Sequence, residues 1–230
     1  MDEFVGLEKL SLVDFDEKIA CTLFVKNCNF KCPFCHNKDL ALSNINEFIQ
    51  FDEILSFLKT RINKIEAVCI TGGEPTLMIG LEDKIKQIKE LGFLVKLDTN
   101  GYRPDILKRL IDLKLIDYVA IDIKNSLEKY ALTTSTYDID TSKIIESINI
   151  LKNSKIDYEF RTTLVKEFHK EEDILKIADL LSGENKYFLQ KFIKSDNCIN
   201  KNLNAISLEE TKKFKKLLEN KIKNVNLRGY

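Results

Sequence analysis

The sequence has few glycines, prolines and histidines and no excess of basic residues, and each of these scarcities excludes or disfavours a class of protein. Its 230 residues include only eight glycines and three prolines, which excludes long flexible linkers and low-complexity segments. Lysine plus arginine and aspartate plus glutamate both number 36, so there is no basic excess of the kind that indicates a nucleic-acid or membrane-surface binder. Only two histidines occur, His36 and His169, which disfavours a Ser–His or Cys–His hydrolase.

The sequence also shows no sign of export or membrane insertion. No basic region followed by an apolar run stands near residue 1, and no apolar stretch approaches the roughly 18 residues that a membrane span requires. We therefore expect a cytoplasmic protein with neither membrane nor nucleic acid as a partner. Its six cysteines should then be thiols rather than disulfides, so a tight group of cysteines would indicate a metal or redox site.

Short β-type runs alternate with helix-like segments along most of the chain. Val, Ile, Phe, Tyr and Thr dominate the runs, several of which are apolar almost throughout, as strands buried on both faces are. Apolar residues recur between them at helical spacing, and Pro104 and Gly92 stand where one helix should begin and another should end. The six predicted strands are 20–26, 65–71, 93–98, 117–122, 156–163 and 186–192.

This alternation predicts an α/β protein with a parallel sheet. A complete eight-unit barrel takes ~250 residues, so six units need about 190, which fits a partial (β/α)6 barrel of the TIM type. A doubly wound sheet would show the same order of elements, and the pattern leaves both open. We predict one domain over residues 1–230, with a core at about 18–192 and a C-terminal helical extension at about 205–222. In both architectures the site lies at the C-terminal ends of the strands.

A group of three cysteines follows the first predicted strand. Cys28, Cys32 and Cys35 have the spacing C-x3-C-x2-C. Three thiolates from one loop can hold three irons of a cubane cluster and leave the fourth iron open to another ligand. The alternative is a Cys3His zinc site with His36 as the fourth ligand. The other cysteines, Cys21, Cys69 and Cys198, are expected to be small buried side chains.

Unusual residues stand where the next three strands end. Gly72 and Gly73 precede Glu74, and paired glycines let the backbone approach a ligand closely. Asp98 ends the third strand, while Asp122 and Lys124 end the fourth. Charged groups at the end of an apolar strand are costly to bury unless they are paired or bound to a ligand. Together with the cysteines, these strand ends predict one shared site.

At these residues the chain resembles the radical S-adenosylmethionine enzymes. C-x3-C-x-Φ-C with Phe34 is similar to their cluster motif, and TGGEP resembles their GGE motif. CTLFVKNCNFKCPFCHN, LDTNG, AIDIKNSLEKY and EFRTTLV are most similar to the activating proteins of anaerobic ribonucleoside-triphosphate reductase, and less so to the pyruvate formate-lyase activase. The matches run from about residue 7 to 192.

The resemblance implies a role for each matching position. Cys28, Cys32 and Cys35 would hold a [4Fe–4S] cluster whose open iron binds the amino and carboxylate groups of S-adenosylmethionine. The rest would line the cofactor pocket: Phe34 and His36 at the adenine, Gly72, Gly73 and Glu74 at the methionine amino group, Asp98, Asp122 and Lys124 near the ribose and methionine carboxylate, and Thr99 beside Asp98. In the formate-lyase activase the two aspartates also help bind a monovalent cation, so Asp98 and Asp122 are candidates for one here.

Three positions depart from the family pattern. Asn27 replaces the glycine common before the first cluster cysteine, and Asn tolerates the left-handed region better than most residues. Asp16 and Glu17 replace a Pro-Gly pair. Gln190 and its neighbours stand where the formate-lyase activase has a histidine, which favours the reductase-activase branch.

The resemblance implies an oxidoreductase that cleaves S-adenosylmethionine reductively to methionine and a 5′-deoxyadenosyl radical. The radical would take hydrogen from a glycine of a partner enzyme, which we expect to be anaerobic ribonucleotide reductase, with flavodoxin or ferredoxin as electron donor. No side chain need act as an acid or base. The alternatives are an activase of pyruvate formate-lyase or of another glycyl radical enzyme, a short radical enzyme acting on a small molecule, and a zinc-stabilised interaction module.

Overall fold

In a computed structural model, which describes residues 4–184 and 186–230, the chain forms one eight-stranded sheet flanked by helices. The strands are β1 (Phe4–Ser11), β2 (Ala20–Val25), β3 (Ala67–Gly72), β4 (Leu94–Thr99), β5 (Tyr118–Asp122), β6 (Asp157–Leu164), β7 (Tyr187–Lys191) and β8 (Val225–Arg228). The helices are α1 (Lys38–Ala41), α2 (Phe51–Lys59), α3 (Leu81–Glu90), α4 (Pro104–Asp112), α5 (Tyr130–Thr134), α6 (Ser142–Lys152), α7 (Glu171–Leu180) and α8 (Leu208–Glu219).

The order of the strands decides between the two predicted architectures. Strands β2 to β8 are parallel and lie side by side in chain order, while β1 pairs antiparallel with β2. A doubly wound sheet reverses its strand order at a switch point, and this sheet does not. The first and last strands do not pair, so the sheet is an open barrel. The partial TIM-type barrel is confirmed, and the doubly wound alternative is wrong.

All six predicted strands are present, and the structure adds two. β1 precedes the predicted core, and β8 follows the predicted C-terminal extension, which contains α8 as expected. The barrel therefore has seven parallel strands rather than six. The described residues, 4–184 and 186–230, include no helix that is both long and apolar enough to cross a membrane.

The helices pack on the outer face of the sheet through the apolar stripes that the sequence shows. In α3 the side chains of Leu81, Ile85 and Ile88 are buried, and burial of each contributes about 1.5–3 kcal/mol to stability. Pro104 stands in the first turn of α4, where its missing N–H costs no hydrogen bond. Gly92, just beyond α3, has φ +91, a left-handed conformation that favours glycine at this position.

The segment between β1 and β2 covers the end of the barrel opposite the predicted site. The Phe15 ring packs on the Tyr118 ring with centroids 5.3 Å apart. Asp16 forms ion pairs with Lys186 at 3.1 Å and Arg228 at 3.4 Å, which joins this segment to β8. These ion pairs give a structural role to Asp16, one of the two residues that replace the Pro-Gly pair of the family pattern. With that end covered, the site is confined to the C-terminal ends of the parallel strands.

Candidate functional site

A cleft of about 260 Å³ lies at the C-terminal ends of the parallel strands. Its walls come from the loop after β2 and from the ends of β3 to β7. All of the predicted site residues line it: Cys28, Cys32, Phe34, Cys35, His36, Gly72, Gly73, Glu74, Asp98, Thr99, Asp122 and Lys124. Residues separated by up to 96 positions in sequence therefore share one site.

The three cysteines stand in a loop held by backbone hydrogen bonds. Asn27 opens the loop with φ +71, so the left-handed turn survives the replacement of glycine, and its side chain accepts a hydrogen bond from Ser43. Within the loop, the Cys35 N–H donates to the Cys32 carbonyl at 2.9 Å. The Asn200 N–H donates to the Pro33 carbonyl at 2.8 Å, which ties the loop to the segment after β7.

The environment of the thiols is one in which thiolates need a bound metal. Burial raises the pKa of Cys28 to about 12 and that of Cys32 to about 11, although the charge of Lys124 acts in the opposite direction at both. Thiolates here therefore need positive charge beyond Lys124, and a bound metal would supply it because a coordinated thiol is deprotonated. Donors are also in place at Cys28, since the Phe30 N–H is 3.4 Å and the Asn100 Nδ2 is 3.8 Å from its Sγ.

A single zinc ion fits the same residues poorly. Among residues 4–184 and 186–230, no three His, Cys, Asp or Glu side chains converge to hold one metal ion. The His36 Nε2 lies 2.6 Å from the Ile193 carbonyl oxygen, and the ring stacks on Phe192 at 5.5 Å, so His36 does not complete a Cys3His site. A cubane cluster takes one thiolate per iron, which suits three thiols that share a loop without meeting at one point.

The glycines after β3 form a cradle against the cluster loop. Gly72 has φ +116, and a Cβ there would lie 2.6 Å from the backbone of Val25. A Cβ on Gly73 would lie only 2.0 Å from the Asn27 carbonyl oxygen. Two backbone hydrogen bonds keep the segments in contact. The Gly73 N–H donates to the Val25 carbonyl at 2.8 Å, and the Glu74 N–H donates to the Asn27 carbonyl at 2.7 Å. The glycines thus bring the end of β3 directly against the cysteine loop.

Glu74 is buried and holds two strand ends together. Its Oε1 accepts hydrogen bonds from the Thr76 N–H at 3.1 Å, the Thr76 hydroxyl at 2.6 Å and the Thr99 hydroxyl at 2.6 Å. Its Oε2 accepts one from the Asn100 N–H at 2.7 Å. Burial raises the pKa of this carboxyl, and the hydrogen bonds partly offset that effect. The Glu74 side chain therefore has a structural task in addition to the cofactor role that the resemblance implies.

An alternating row of charges joins β4 to β6; Asp98, Asp122, Lys124 and Arg161 line the cleft, whereas Lys96 lies outside its lining. The ion pairs are Lys96–Asp98 at 2.8 Å, Asp98–Arg161 at 2.9 Å, Arg161–Asp122 at 2.8 Å and Asp122–Lys124 at 3.0 Å. Burial alone would raise the pKa of both aspartates, but Arg161 and the flanking lysines outweigh it and hold each pKa below its ordinary value. The same contacts hold the pKa of Lys124 and Arg161 above their ordinary values despite burial. We refer to these five residues as the charge row.

The predicted monovalent cation does not fit the charge row. Both carboxylates of the proposed cation site already contact cationic side chains, and Arg161 lies between them. A further cation would meet Lys96, Arg161 and Lys124 around these carboxylates; Asp98 Oδ1 accepts no hydrogen bond, but the Lys96 ammonium lies 2.8 Å from it. These contacts speak against a cation at Asp98 and Asp122, which stays a prediction of the resemblance.

The aromatic residues of the cysteine loop differ in their surroundings. Phe34 is buried against Phe168, with ring centroids 6.1 Å apart, and the Lys124 ammonium lies 5.9 Å from its ring centre. His36 is exposed and held by the segment after β7. Both line the cleft, so their place beside an adenine stays a prediction. Cys21, Cys69 and Cys198 lie outside the cleft lining and are buried, as expected of small apolar side chains.

Sequence reasoning missed three residues of the site. Arg161 and Lys96 belong to the charge row, and Asn100 donates to Asn29 of the cysteine loop at 2.8 Å. A signal was present in β4, because Lys96 and Asp98 are two apart and so face the same side. Arg161 carried a weaker one, since its strand also contains Asp157 and Glu159. The partners of these charges depend on strand register, in which Asp122 stands opposite Arg161.

Comparison with known proteins agrees with this site. The family model of the radical SAM superfamily matches residues 22–181. A protein of Methanocaldococcus jannaschii named "Putative glycyl-radical enzyme activating enzyme" is 36% identical over 198 residues, covering 83% of this chain and 80% of that protein.

Solved structures share the fold at low sequence identity. A domain of pyruvate-formate lyase-activating enzyme from Bacteroides vulgatus superposes with a TM-score of 0.55 at 19% identity, covering 70% of this chain and 98% of that one. Streptococcus suis SuiB bound to S-adenosylmethionine superposes with a TM-score of 0.64 at 16% identity, covering 90% of this chain and 51% of that one. The match over most of the chain, with the three cysteines in the expected loop, shows that this protein belongs to the radical SAM superfamily, whose members use a [4Fe–4S] cluster and S-adenosylmethionine.

Proposed function

We propose that this enzyme is the activase of a glycyl radical enzyme, and that its partner is the anaerobic ribonucleoside-triphosphate reductase. The observation that carries the proposal is the single cleft that joins the cysteine loop, the glycine cradle and the charge row. The relationship to a protein named as a glycyl-radical enzyme activating enzyme supports the class. The similarity of LDTNG and AIDIKNSLEKY to the reductase activases, together with Gln190 on β7, supports the partner.

The residues of the cleft are suited to binding and orienting a zwitterionic cofactor. Cys28, Cys32 and Cys35 would hold the cluster, and the backbone around Gly72 and Gly73 would receive the methionine amino group. Arg161 and Lys124 would face the methionine carboxylate, since together with Lys96 they exceed the two aspartates by one positive charge. When bound, the cluster supplies the electron that cleaves S-adenosylmethionine into methionine and a 5′-deoxyadenosyl radical.

The charged side chains of the cleft have fixed ionisation near neutral pH. The pKa of Asp98 and Asp122 is held low and the pKa of Lys124 and Arg161 is held high. A general acid or base needs a pKa near the working pH, and none of these four groups meets that condition. These four groups are therefore suited to holding charge in place, and transfer of a hydrogen atom asks none of them to take up or release a proton.

Electron spin resonance of a purified partner tests the proposal. Reconstituted enzyme, S-adenosylmethionine and reduced flavodoxin or ferredoxin are incubated anaerobically with the anaerobic reductase, and we expect a glycyl radical doublet. The Cys32→Ala variant and a reductase whose radical glycine is replaced by alanine are the controls, and both should give no doublet.

The outcome separates the candidate functions. Cleavage of S-adenosylmethionine with a doublet on pyruvate formate-lyase but none on the reductase would replace the proposed partner. Cleavage with no doublet on any glycyl radical enzyme would contradict the activase function and favour a small-molecule substrate.

A further inference from the structure

The two aspartates of the charge row have no unneutralised oxygen. Asp98 Oδ1 lies 2.8 Å from the Lys96 Nζ, and its Oδ2 lies 2.9 Å from Arg161 Nη1. Asp122 Oδ1 lies 2.8 Å from Arg161 Nε, and its Oδ2 lies 3.0 Å from Lys124 Nζ. Lys96 is poorly directed for a hydrogen bond to Asp98, so this contact is an ion pair in which charge rather than direction matters.

The cationic side chains of the charge row already outnumber its carboxylates, so no further cation is needed to neutralise the aspartates. Three cationic side chains, Lys96, Arg161 and Lys124, face two carboxylates, so the row carries one net positive charge. The methionine carboxylate of S-adenosylmethionine would neutralise that charge. An added Na⁺ or K⁺ would instead bring a like charge into a partly buried row, where Coulomb repulsion is screened less than in water.

Without Lys96 the charge row would be neutral, so this residue gives it its net positive charge. Its side chain is only 4% exposed although it is a lysine, and the ammonium also donates to the Asp14 carbonyl at 2.5 Å. The Tyr118 ring lies 5.9 Å from it and completes its surroundings. The Lys96 ammonium is thus held in place by its own strand, β4, and by the segment between β1 and β2.

We propose that the Lys96 ammonium takes the place of a monovalent cation beside Asp98, so that this enzyme binds and cleaves S-adenosylmethionine independently of Na⁺ and K⁺. Lys96 acts through Asp98 and is a positioning residue rather than a catalytic one. The proposal rests on cofactor binding alone, and it holds whichever protein or small molecule the enzyme acts on.

Calorimetry of cofactor binding at constant ionic strength tests this. S-adenosylmethionine is titrated into reconstituted enzyme in choline chloride, NaCl or KCl, and the dissociation constants of the wild type should agree within about twofold. In the Lys96→Met variant, which keeps the length of the side chain without its charge, we expect at least tenfold weaker binding in choline chloride. NaCl or KCl should restore part of that loss, because a small cation can then occupy the site beside Asp98, whereas choline is too large.

A second readout needs no cofactor. The thermal unfolding midpoint of Lys96→Met should rise by several degrees when NaCl or KCl replaces choline chloride, while that of the wild type should not change. Lys108→Met, which removes an exposed ion pair on α4, is the matched control and should behave as the wild type does.

Either of two results would overturn the proposal. One is a wild-type affinity that increases more than threefold when Na⁺ or K⁺ replaces choline, which can be measured even if the variant fails to fold. The other is a Lys96→Met variant that binds S-adenosylmethionine in choline chloride as tightly as the wild type. Neither result depends on a glycyl radical, so neither can be confused with failure of the proposed function.

Discussion

Replacement of Glu74 by glutamine tests whether this buried carboxylate holds the strand ends of the site together. Glutamine keeps the size of the side chain and one carbonyl oxygen. If that oxygen replaces Oε1, the donors of Thr76 and Thr99 keep their acceptor. The amide nitrogen then faces the Asn100 N–H, which loses its 2.7 Å hydrogen bond and meets another donor. The opposite orientation leaves three donors unpaired, so the first is the less costly.

The magnitude follows from the loss of one charged hydrogen bond at a buried donor. Such a bond contributes about 1.5–3 kcal/mol, and relief of the buried negative charge offsets part of this, so we expect a loss of about 2 kcal/mol. For a chain of this length that loss lowers the thermal unfolding midpoint by roughly 4–8 °C. The raised pKa of Glu74 adds a pH dependence. Wild-type stability relative to Glu74→Gln should increase as the pH falls through the folded-state pKa towards the ordinary value of 4.5.

Urea and thermal unfolding of the protein without cofactor are the assays. Glu146→Gln on the exposed face of α6 is the matched control, and it should change stability by less than about 0.5 kcal/mol. A Glu74→Gln protein that unfolds within that same margin of the wild type would refute the structural role. The carboxylate would then matter only when a ligand is bound.

Substitutions at three further positions probe the site. Gly73→Ala places a Cβ 2.0 Å from the Asn27 carbonyl, so we expect about 3 kcal/mol lower stability and loss of bound iron, and normal iron content would contradict the cradle. Both Asn27→Val and Asn27→Gly lose the hydrogen bond from Ser43, but with φ at +71 the valine variant should be about 1–2 kcal/mol less stable than the glycine variant by urea unfolding; equal losses would refute the strain argument. Asp98→Asn should destabilise the protein at neutral pH by an amount that shrinks as the pH falls below 3.8, since the folded-state pKa is lowered, and a difference independent of pH would argue against it.

The fold prediction is accurate where the sequence pattern is strong and incomplete at the two edges of the sheet. Inner strands such as β3 and β5 are largely apolar runs, because helices cover their outer face. β1 reads instead as a mixed segment, with Leu10 exposed beside charged neighbours, because one side of it has no strand to pair with. β8 has only four residues and follows a lysine-rich helix, so neither its length nor its composition indicates a strand. Local pattern cannot reveal a strand that only tertiary pairing stabilises.

Within the site, the sequence predicts positions better than it predicts partners. The ends of parallel strands meet at one edge of a barrel, so the sequence pattern alone is enough to place Asp98 and Asp122 together. Their partners depend on register and on side-chain reach across neighbouring strands, and these bring Arg161 between them. The same contacts could not be foreseen at the predicted cation site, where Lys96 and Arg161 supply positive charge beside the two aspartates.

The central claim is that Cys28, Cys32 and Cys35 hold the cluster that cleaves S-adenosylmethionine. The most direct measurement is the yield of 5′-deoxyadenosine from anaerobically reconstituted protein with dithionite, for the wild type, Cys32→Ala and Cys21→Ala. Cys21 is buried in β2 outside the cleft, so its variant controls for the loss of a buried thiol. The account predicts product from the wild type and from Cys21→Ala, and none above background from Cys32→Ala. Product from Cys32→Ala at the wild-type rate would contradict it.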